Sequence, residues 1–441
     1  MVHYLIFAAL LLAADDVDAT PKPAAEVAVA ASAELAAQIA VLVRQLDDRQ
    51  LSVRDEAERN LLALGSDALP LLPEITERTP AEVATRVARI QQKLLRGRAL
   101  AAAEPTLVTL KAENLSLDGA IKELEKQTGN HIVDHREAFG EARGDVKLKA
   151  VFDKTPYWRA LDALLDQGNL TLYGFAGQRG AYVINRPAAA VPRAAKAYYA
   201  GPFRFEPLRF EAVRDLRNES MQSLKLFMEV SWEPRLQPFA IVQSLSQLSA
   251  TDSSGKSLAV AADAEPEASV REGVSAAELE IPLALPDRSE KAIALLKGKI
   301  VALVPGPAED FRFAGLPIAT KNAPARRVEQ RKAATTVVVD HVRRNNEAWE
   351  VAVRVKFESP GAALESHRSW IFDNEAFFEG ADKQRITPGG IEQTLQSADE
   401  FGVNYYFDLK NGPQELSFVY RTPIVVLEIP LDYEFRDLRL P

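Results

Sequence analysis

Two imidazoles and a carboxylate fall within five residues at His131, Asp134 and His135, and these are residue types that bind a divalent metal. They straddle the end of an expected strand, where successive side chains point to opposite faces. Convergence on one ion would need a local kink, so no metal site is expected. Gly255-Lys256-Ser257 has the ending of a phosphate-binding loop, but the glycine required five residues earlier is Ala250, and the segment reads as a hairpin turn. Asp263, Glu265 and Glu267 lie in an Ala/Glu-rich stretch and read as solvated charge. Trp232, Trp349 and Trp370 could stack on sugar rings, although Trp232 ends an alternating apolar stripe and is expected in a core. A hydrolase would need His341 or His367 beside Asp or Glu in a pocket, and neither a G-x-S-x-G nor an H-E-x-x-H pattern occurs. No catalytic residue and no cofactor are expected, and the chain is not read as an enzyme.

Composition bounds what must position these residues. The 441 residues allow two to four domains with real cores. The net charge of -9 comes from 62 acidic and 53 basic residues. Residues 104–185 carry ten basic and twelve acidic side chains, and 198–441 carry 29 and 36, so the acidity concentrates in the C-terminal half. Nucleic-acid binding, which relies on clustered Lys and Arg, is disfavoured. Cysteine is absent, which excludes disulfides, thiol nucleophiles and Cys-based zinc sites. Residues 1–19, with an apolar stretch from Tyr4 to Ala14 and small residues after it, are expected to be a secretory signal peptide. The expected location is therefore periplasmic or extracellular, with no stable transmembrane anchor after cleavage.

Residues 20–31 form a Pro/Ala linker, and 32–98 read as short amphipathic helices. Ser52 is placed to cap a helix stopping at Gly65, and Asp67 another with Pro70 in its first turn. Thr79-Pro80-Ala81-Glu82 offers a capping box for a third, expected to end at Leu95 before Gly97. The stretch Val53 to Pro70 resembles a HEAT-like helical repeat, a family of protein-binding scaffolds.

Between Thr106 and Ile184 the hydrophobic period alternates between two and 3.6 in the order strand, helix, strand, strand, helix, strand, strand. Val108, Leu110 and Ala112 alternate with polar residues. Ser116 caps a helix with Leu117, Ala120, Ile121 and Leu124 on one face, and Gly129 ends it. A second strand–helix pair follows through Leu148, Ala150 and Phe152, then Trp158, Leu161, Leu164 and Leu165. Leu170 to Phe175 and Ala181 to Ile184 are expected to form a hairpin. Through Leu115 to Leu124, Gln127-Thr128-Gly129 and Ala160 to Leu165, residues 104–185 resemble the short N-terminal domain shared by secretins and TonB-dependent receptors. The resemblance implies a periplasmic location and action through protein contacts. No secretin pore domain follows, and the 256 residues after Asn185 are too few for a plug with a large barrel, so the family's gating role is not expected to transfer.

After a linker at 186–198, strand patterns take over. Leu224, Leu226, Met228, Val230 and Trp232 alternate with Lys225, Phe227, Glu229 and Ser231, and Val351, Val353, Val355 and Phe357 with Ala352, Arg354, Lys356 and Glu358. Two β-sandwiches are expected, at 199–318 and 325–441, the second holding a partly helical insertion at 366–400 and a last strand from Val425 to Phe435 with Pro430 at an edge or bulge. This half resembles the β-sandwich tails of uncharacterised exported bacterial proteins. The fold class is thus multidomain α+β: a helical cap, a βαββαββ module and an antiparallel β-sandwich region. The expected function is a non-catalytic envelope adaptor or scaffold with protein partners. A glycan- or cell-wall-binding protein using the sandwiches is the alternative, and an uncharacterised hydrolase the third reading.

Overall fold

A computed structural model describes residues 24–73, 75, 78–144, 146–174, 178–218, 222–258, 267–270, 273–320, 323–357, 371–372, 374–397 and 399–441, with side chains from Glu34 onward. The expected signal peptide lies outside the described residues. The chain falls into two compact units, Met1–Ile90 and Gln91–Pro441.

In the first unit, α1 (Ala24–Gln45) starts inside the expected Pro/Ala linker, because Ala outweighs Pro after Pro23 and Ala is the best helix former. Helix α2 (Leu51–Ala63) starts just before the expected cap Ser52 and ends before Gly65, whose φ of 74° suits glycine. The helix expected from Asp67 is a 3₁₀ segment, Gly65–Leu71, which contains Asp67 and Pro70. Helix α3 (Ala81–Ala102) runs past its expected end at Leu95. Burial of Leu94, Leu95 and Ala99 on either side of Gly97 outweighs the ~1 kcal/mol that an interior glycine costs. Within this unit Arg86 donates to Glu82, Asp55 and Glu58 at 2.6, 2.9 and 3.0 Å, fastening α3 to α2.

The second unit takes α3 from Gln91 onward and continues with β1 (Leu107–Ser116), α4 (Leu117–Thr128), β2 (Ile132–Asp134), β3 (Lys147–Pro156), α5 (Tyr157–Gln167), β4 (Leu170–Tyr173) and β5 (Ala181–Asn185), in the strand and helix order read from the period. Ser116 accepts a hydrogen bond from the Gly119 amide and Gly129 closes α4 at φ 69°. The strands form two sheets: β1 pairs antiparallel with β3, and β5 lies between β2, parallel to it, and β4, antiparallel. One core takes Val108, Leu124, Leu148, Trp158, Leu161 and Val183 from strands and helices alike.

The β1–β3 ribbon has a two-fold pattern. Leu110 faces Phe152 and Ala112 faces Ala150, while Leu107 faces Pro156 and Ser116 faces Lys147, so a shift of 40 residues maps each pair onto another. The positive φ of Asn114 recurs at Lys154, and that of Gly129 at Asn169. Ala120, Leu124 and Gln127 recur as Ala160, Leu164 and Gln167. The module is two copies of one strand–helix unit.

The remaining strands are β6 (Tyr198–Ala200), β7 (Phe203–Arg214), β8 (Gln222–Trp232), β9 (Ala240–Gln243), β10 (Ser249–Asp252), β11 (Glu267–Ser269), β12 (Ala276–Leu283), β13 (Ala292–Pro305), β14 (Ala308–Ala314), β15 (Ile318–Ala319), β16 (Val328–Lys332), β17 (Thr335–Asn345), β18 (Ala348–Phe357), β19 (Ala376–Glu379), β20 (Arg385–Ile386), β21 (Gly390–Gln396), β22 (Glu400–Phe407), β23 (Ser417–Pro423) and β24 (Val426–Arg439). A sheet ordered β12-β8-β7-β6 shares a core with one ordered β10-β13-β9-β11, to which β24 adds beside β13. A second pair, β14-β23-β19-β20 and β15-β17-β18-β22-β21 with β16 on β17, meets through aromatic contacts such as Phe378 on Phe407 and Tyr405 on Tyr420.

The strand pairing divides this region differently from the expected break near 318–325. β14 pairs with β23 in the second sheet pair, and the last strand returns to the first, where Leu431, Tyr433 and Phe435 enter the core. Periodicity gives each strand its buried face but not its neighbour, which is why pairing between distant segments escapes it. Pro430 sits on β24, whose only paired neighbour among the described residues is β13, and an edge strand tolerates its missing N–H. The described part of the expected helical insertion contains strands β19 to β21, because Phe377 and Phe378 are buried against β23.

Candidate functional site

Three of the fully buried charges of the second unit, Asp162, Arg204 and Glu233, lie where the α/β module meets the first sheet pair. Trp158, Asp162 and Asp166 follow one another at i, i+4 and i+8 on α5, and so share one face. Trp158 Nε1 donates to the Pro202 carbonyl at 2.9 Å. Asp162 is sealed from solvent and accepts from Arg193 Nε at 2.8 Å, Arg204 Nε at 2.6 Å and Tyr199 Oη at 2.7 Å. Burial pushes its carboxyl up, but the Arg193 and Arg204 guanidiniums more than offset this and hold it below the usual aspartate value. Tyr199 is pushed up, first by burial and then by the Asp162 charge. Asp166 accepts from the backbone amides of Arg193 at 2.7 Å and Ala194 at 3.0 Å and pairs with Arg186. Residues 186–198, expected as a linker, are therefore pinned along α5 at Arg186, Arg193 and Ala194, since Arg186 and Arg193 turn their charges inward to Asp166 and Asp162.

A second knot lies around Glu233, also sealed from solvent. It accepts from the Thr106 amide at 2.9 Å, Thr106 Oγ1 at 2.8 Å, Asn130 Nδ2 at 3.1 Å and Arg235 Nε at 2.7 Å. The Arg235 amide donates to Asn130 Oδ1 at 3.0 Å, and Ser275 Oγ to the Gly180 carbonyl at 3.0 Å. Neither carboxylate presents an open face to a substrate. Their chemistry is that of a joint, and removing one partner of such a pair costs about 3–5 kcal/mol because the other charge stays buried.

The residues singled out from the sequence go to separate places. His131 Nδ1 lies 2.8 Å from Glu125 Oε1, Asp134 accepts both Arg136 Nε at 2.9 Å and a terminal Arg136 nitrogen at 2.8 Å, and His135 sits edge-on to Phe139 and Tyr182. Among the described residues no three ligand-type side chains gather as a metal would require. Gly255 adopts φ 85° in a turn where Asp252 Oδ1 accepts from the amides of Ser254 and Lys256, both at 2.9 Å. Trp232 is fully buried and Trp349 packs beside Arg344, so these two do not form one exposed platform. Trp370, His367, Asp263 and Glu265 lie outside the described residues, as does the Glu267 side chain.

His341 does lie beside a carboxylate. Its Nε2 is 2.9 Å from Glu350 Oε1 across β17 and β18, and Glu350 also accepts from Arg343 at 3.0 Å and Asn345 Nδ2 at 2.6 Å. Burial raises the Glu350 carboxyl, yet the bonds from His341, Arg343 and Asn345 leave it lowered. Among the hydrogen bonds of the described residues, none brings a hydroxyl nucleophile to His341, so the pair acts as a cross-strand clasp.

No family model, no curated protein and no solved structure matches this chain. The joint around Asp162 and Glu233 was missed by the sequence reading. Its one local signal is Asp162 itself, a carboxylate four residues after Trp158 on the apolar face of α5.

Proposed function

We propose that this chain is an exported, non-catalytic envelope protein that acts as a protein–protein interaction adaptor or scaffold. The observation that carries this reading is the joint: buried ion pairs through Asp162 and Glu233 fix the α/β module against the first sheet pair, so surfaces on both are held at a set spacing. A scaffold needs that rigidity. Further support comes from the module's element order, which is the order expected of a secretin- and receptor-type short domain. Among the described residues no helix is long and apolar enough to cross a membrane.

The test is crosslinking of the full chain in its own cells after fractionation, with mass spectrometry of what is captured. Specific protein partners in the envelope fraction are the expected result. Polysaccharide recovered without protein would replace the adaptor with a wall binder, and a cytosolic product would remove the export claim.

A further inference from the structure

The α1–α2 pair carries a groove of about 480 Å³ on its surface. On α1, Val41, Leu42 and Gln45 lie within about one helical turn of one another. On α2, Val53, Glu56 and Asn60 follow at i, i+3 and i+7. The two stripes flank one seam. Val41 is 45% exposed, while Ile39, Leu42, Leu46, Ala57 and Leu61 of the same two helices are buried. Val41, Leu42 and Val53 give an apolar strip of floor, and the other four of the seven lining residues, Gln38, Gln45, Asn60 and Glu56, are polar. Among the described residues that line the groove there is no Lys or Arg.

We infer that this groove docks an amphipathic helix of a partner protein, with apolar side chains on Val41, Leu42 and Val53 and a Lys or Arg on Glu56. This rests on the adaptor reading and names the chemistry of its partner. Two antiparallel helices offer a trough that a third helix fills by packing ridges into the seam, and apolar anchors one turn apart match such a floor. Charge selects the occupant: an acidic rim with no lining cation favours a basic helix and disfavours an acidic one.

Fluorescence anisotropy on the full chain tests this with two labelled Ala-based helical peptides, each carrying two leucines four residues apart. One adds a lysine on the next turn and the other a glutamate there. The lysine peptide is expected to bind more tightly. Val41→Asp should weaken both peptides about tenfold or more, the loss of a buried anchor. Glu56→Lys, at an exposed position, should reverse the order of the two peptides with a change of about threefold, the size of a rim charge pair. Equal binding of the two peptides, or binding untouched by both variants, overturns the assignment. A concentration-dependent dimer that Val41→Asp abolishes would overturn it in favour of a second copy as occupant. A photocrosslinker at position 41, compared with one at Ile391, a residue of β21 that is 46% exposed, separates the two levels in cells. Capture from 391 alone sinks the groove and leaves the adaptor, and capture from neither sinks both.

Discussion

Gln127 and Gln167 make the same pair of bonds in the two halves of the α/β module. Gln127 accepts from the Thr109 amide at 2.9 Å and donates to its carbonyl at 3.0 Å, and Gln167 does the same to Lys149 at 2.9 and 3.0 Å. Each helix thereby ties its last turn to the free side of its own strand, which satisfies backbone groups that the two-stranded ribbon leaves unpaired.

Replacing either glutamine by alanine should therefore cost about the same, roughly 1 kcal/mol, because each loses the same pair of exposed bonds to its strand and one further bond, from Gln127 to Glu123 and from Gln167 to the Ala163 carbonyl. Urea denaturation of the two variants checks this. Costs that differ by more than about 1 kcal/mol would mean that the two halves are not equivalent in energy.

Asp162→Ala leaves Arg193 without its carboxylate partner in a sealed site and Arg204 with Glu206 alone, and the expected loss is about 3–5 kcal/mol. Because Asp162 joins the module to the first sheet pair, the fluorescence of Trp158 and Trp232 should report a single transition in the natural protein. Two separated transitions there would contradict the rigid joint.

Limited trypsin digestion gives a kinetic view of the same feature. Arg193 is 5% exposed in a segment whose Pro/Ala content suggests an open linker. Cleavage there should be slow in the natural protein and fast in Asp162→Asn, read by the appearance of a fragment ending near residue 193.

Acid should destabilise the fold with a definite sign. Asp162, Asp134, Asp340 and Asp310 all sit below the ordinary 3.8, and Glu350 below 4.5, in each case through arginine or hydrogen-bond partners that outweigh burial. Folded values below unfolded ones mean that the unfolded chain binds more protons, so this stability is present above the unfolded value and is lost as pH falls through the folded one. Urea midpoints are expected to hold between about pH 7 and 5 and to drop below about pH 4, less steeply in Asp162→Asn. A midpoint unchanged down to about pH 3 would contradict this account.

Two glycine substitutions separate backbone strain from packing. Gly129→Ala meets open space but keeps φ 69°, so about 1 kcal/mol is expected. Gly298 lies opposite Tyr433, whose ring crosses the place a methyl would occupy, stacks on Phe205 and donates to Gln243 at 2.9 Å. Gly298→Ala must displace that ring and should cost about 1–3 kcal/mol by thermal or urea unfolding.

Much of the architecture was readable residue by residue. The alternation from Leu224 to Trp232, the Ser116 cap and the Gly129 stop each depend on a few neighbours, and local sterics and burial decide them. The 40-residue repeat was present in the sequence as Ala120/Ala160, Leu124/Leu164 and Gln127/Gln167 but is sparse. The mirrored register of β1 and β3 makes it plain.

By itself, the sequence determined the strand and helix order of the α/β module, the buried faces of the long strands and the absence of thiol chemistry, since these depend on periodicity and composition. Only the tertiary structure decided that β24 returns to β13, that residues 186–198 are pinned rather than free, and that Asp162 meets Arg193 and Arg204. Those outcomes are pairings between segments up to 147 residues apart, as Ala292 is from Arg439. Their energies depend on which partner fills each buried site, and no local pattern encodes that choice.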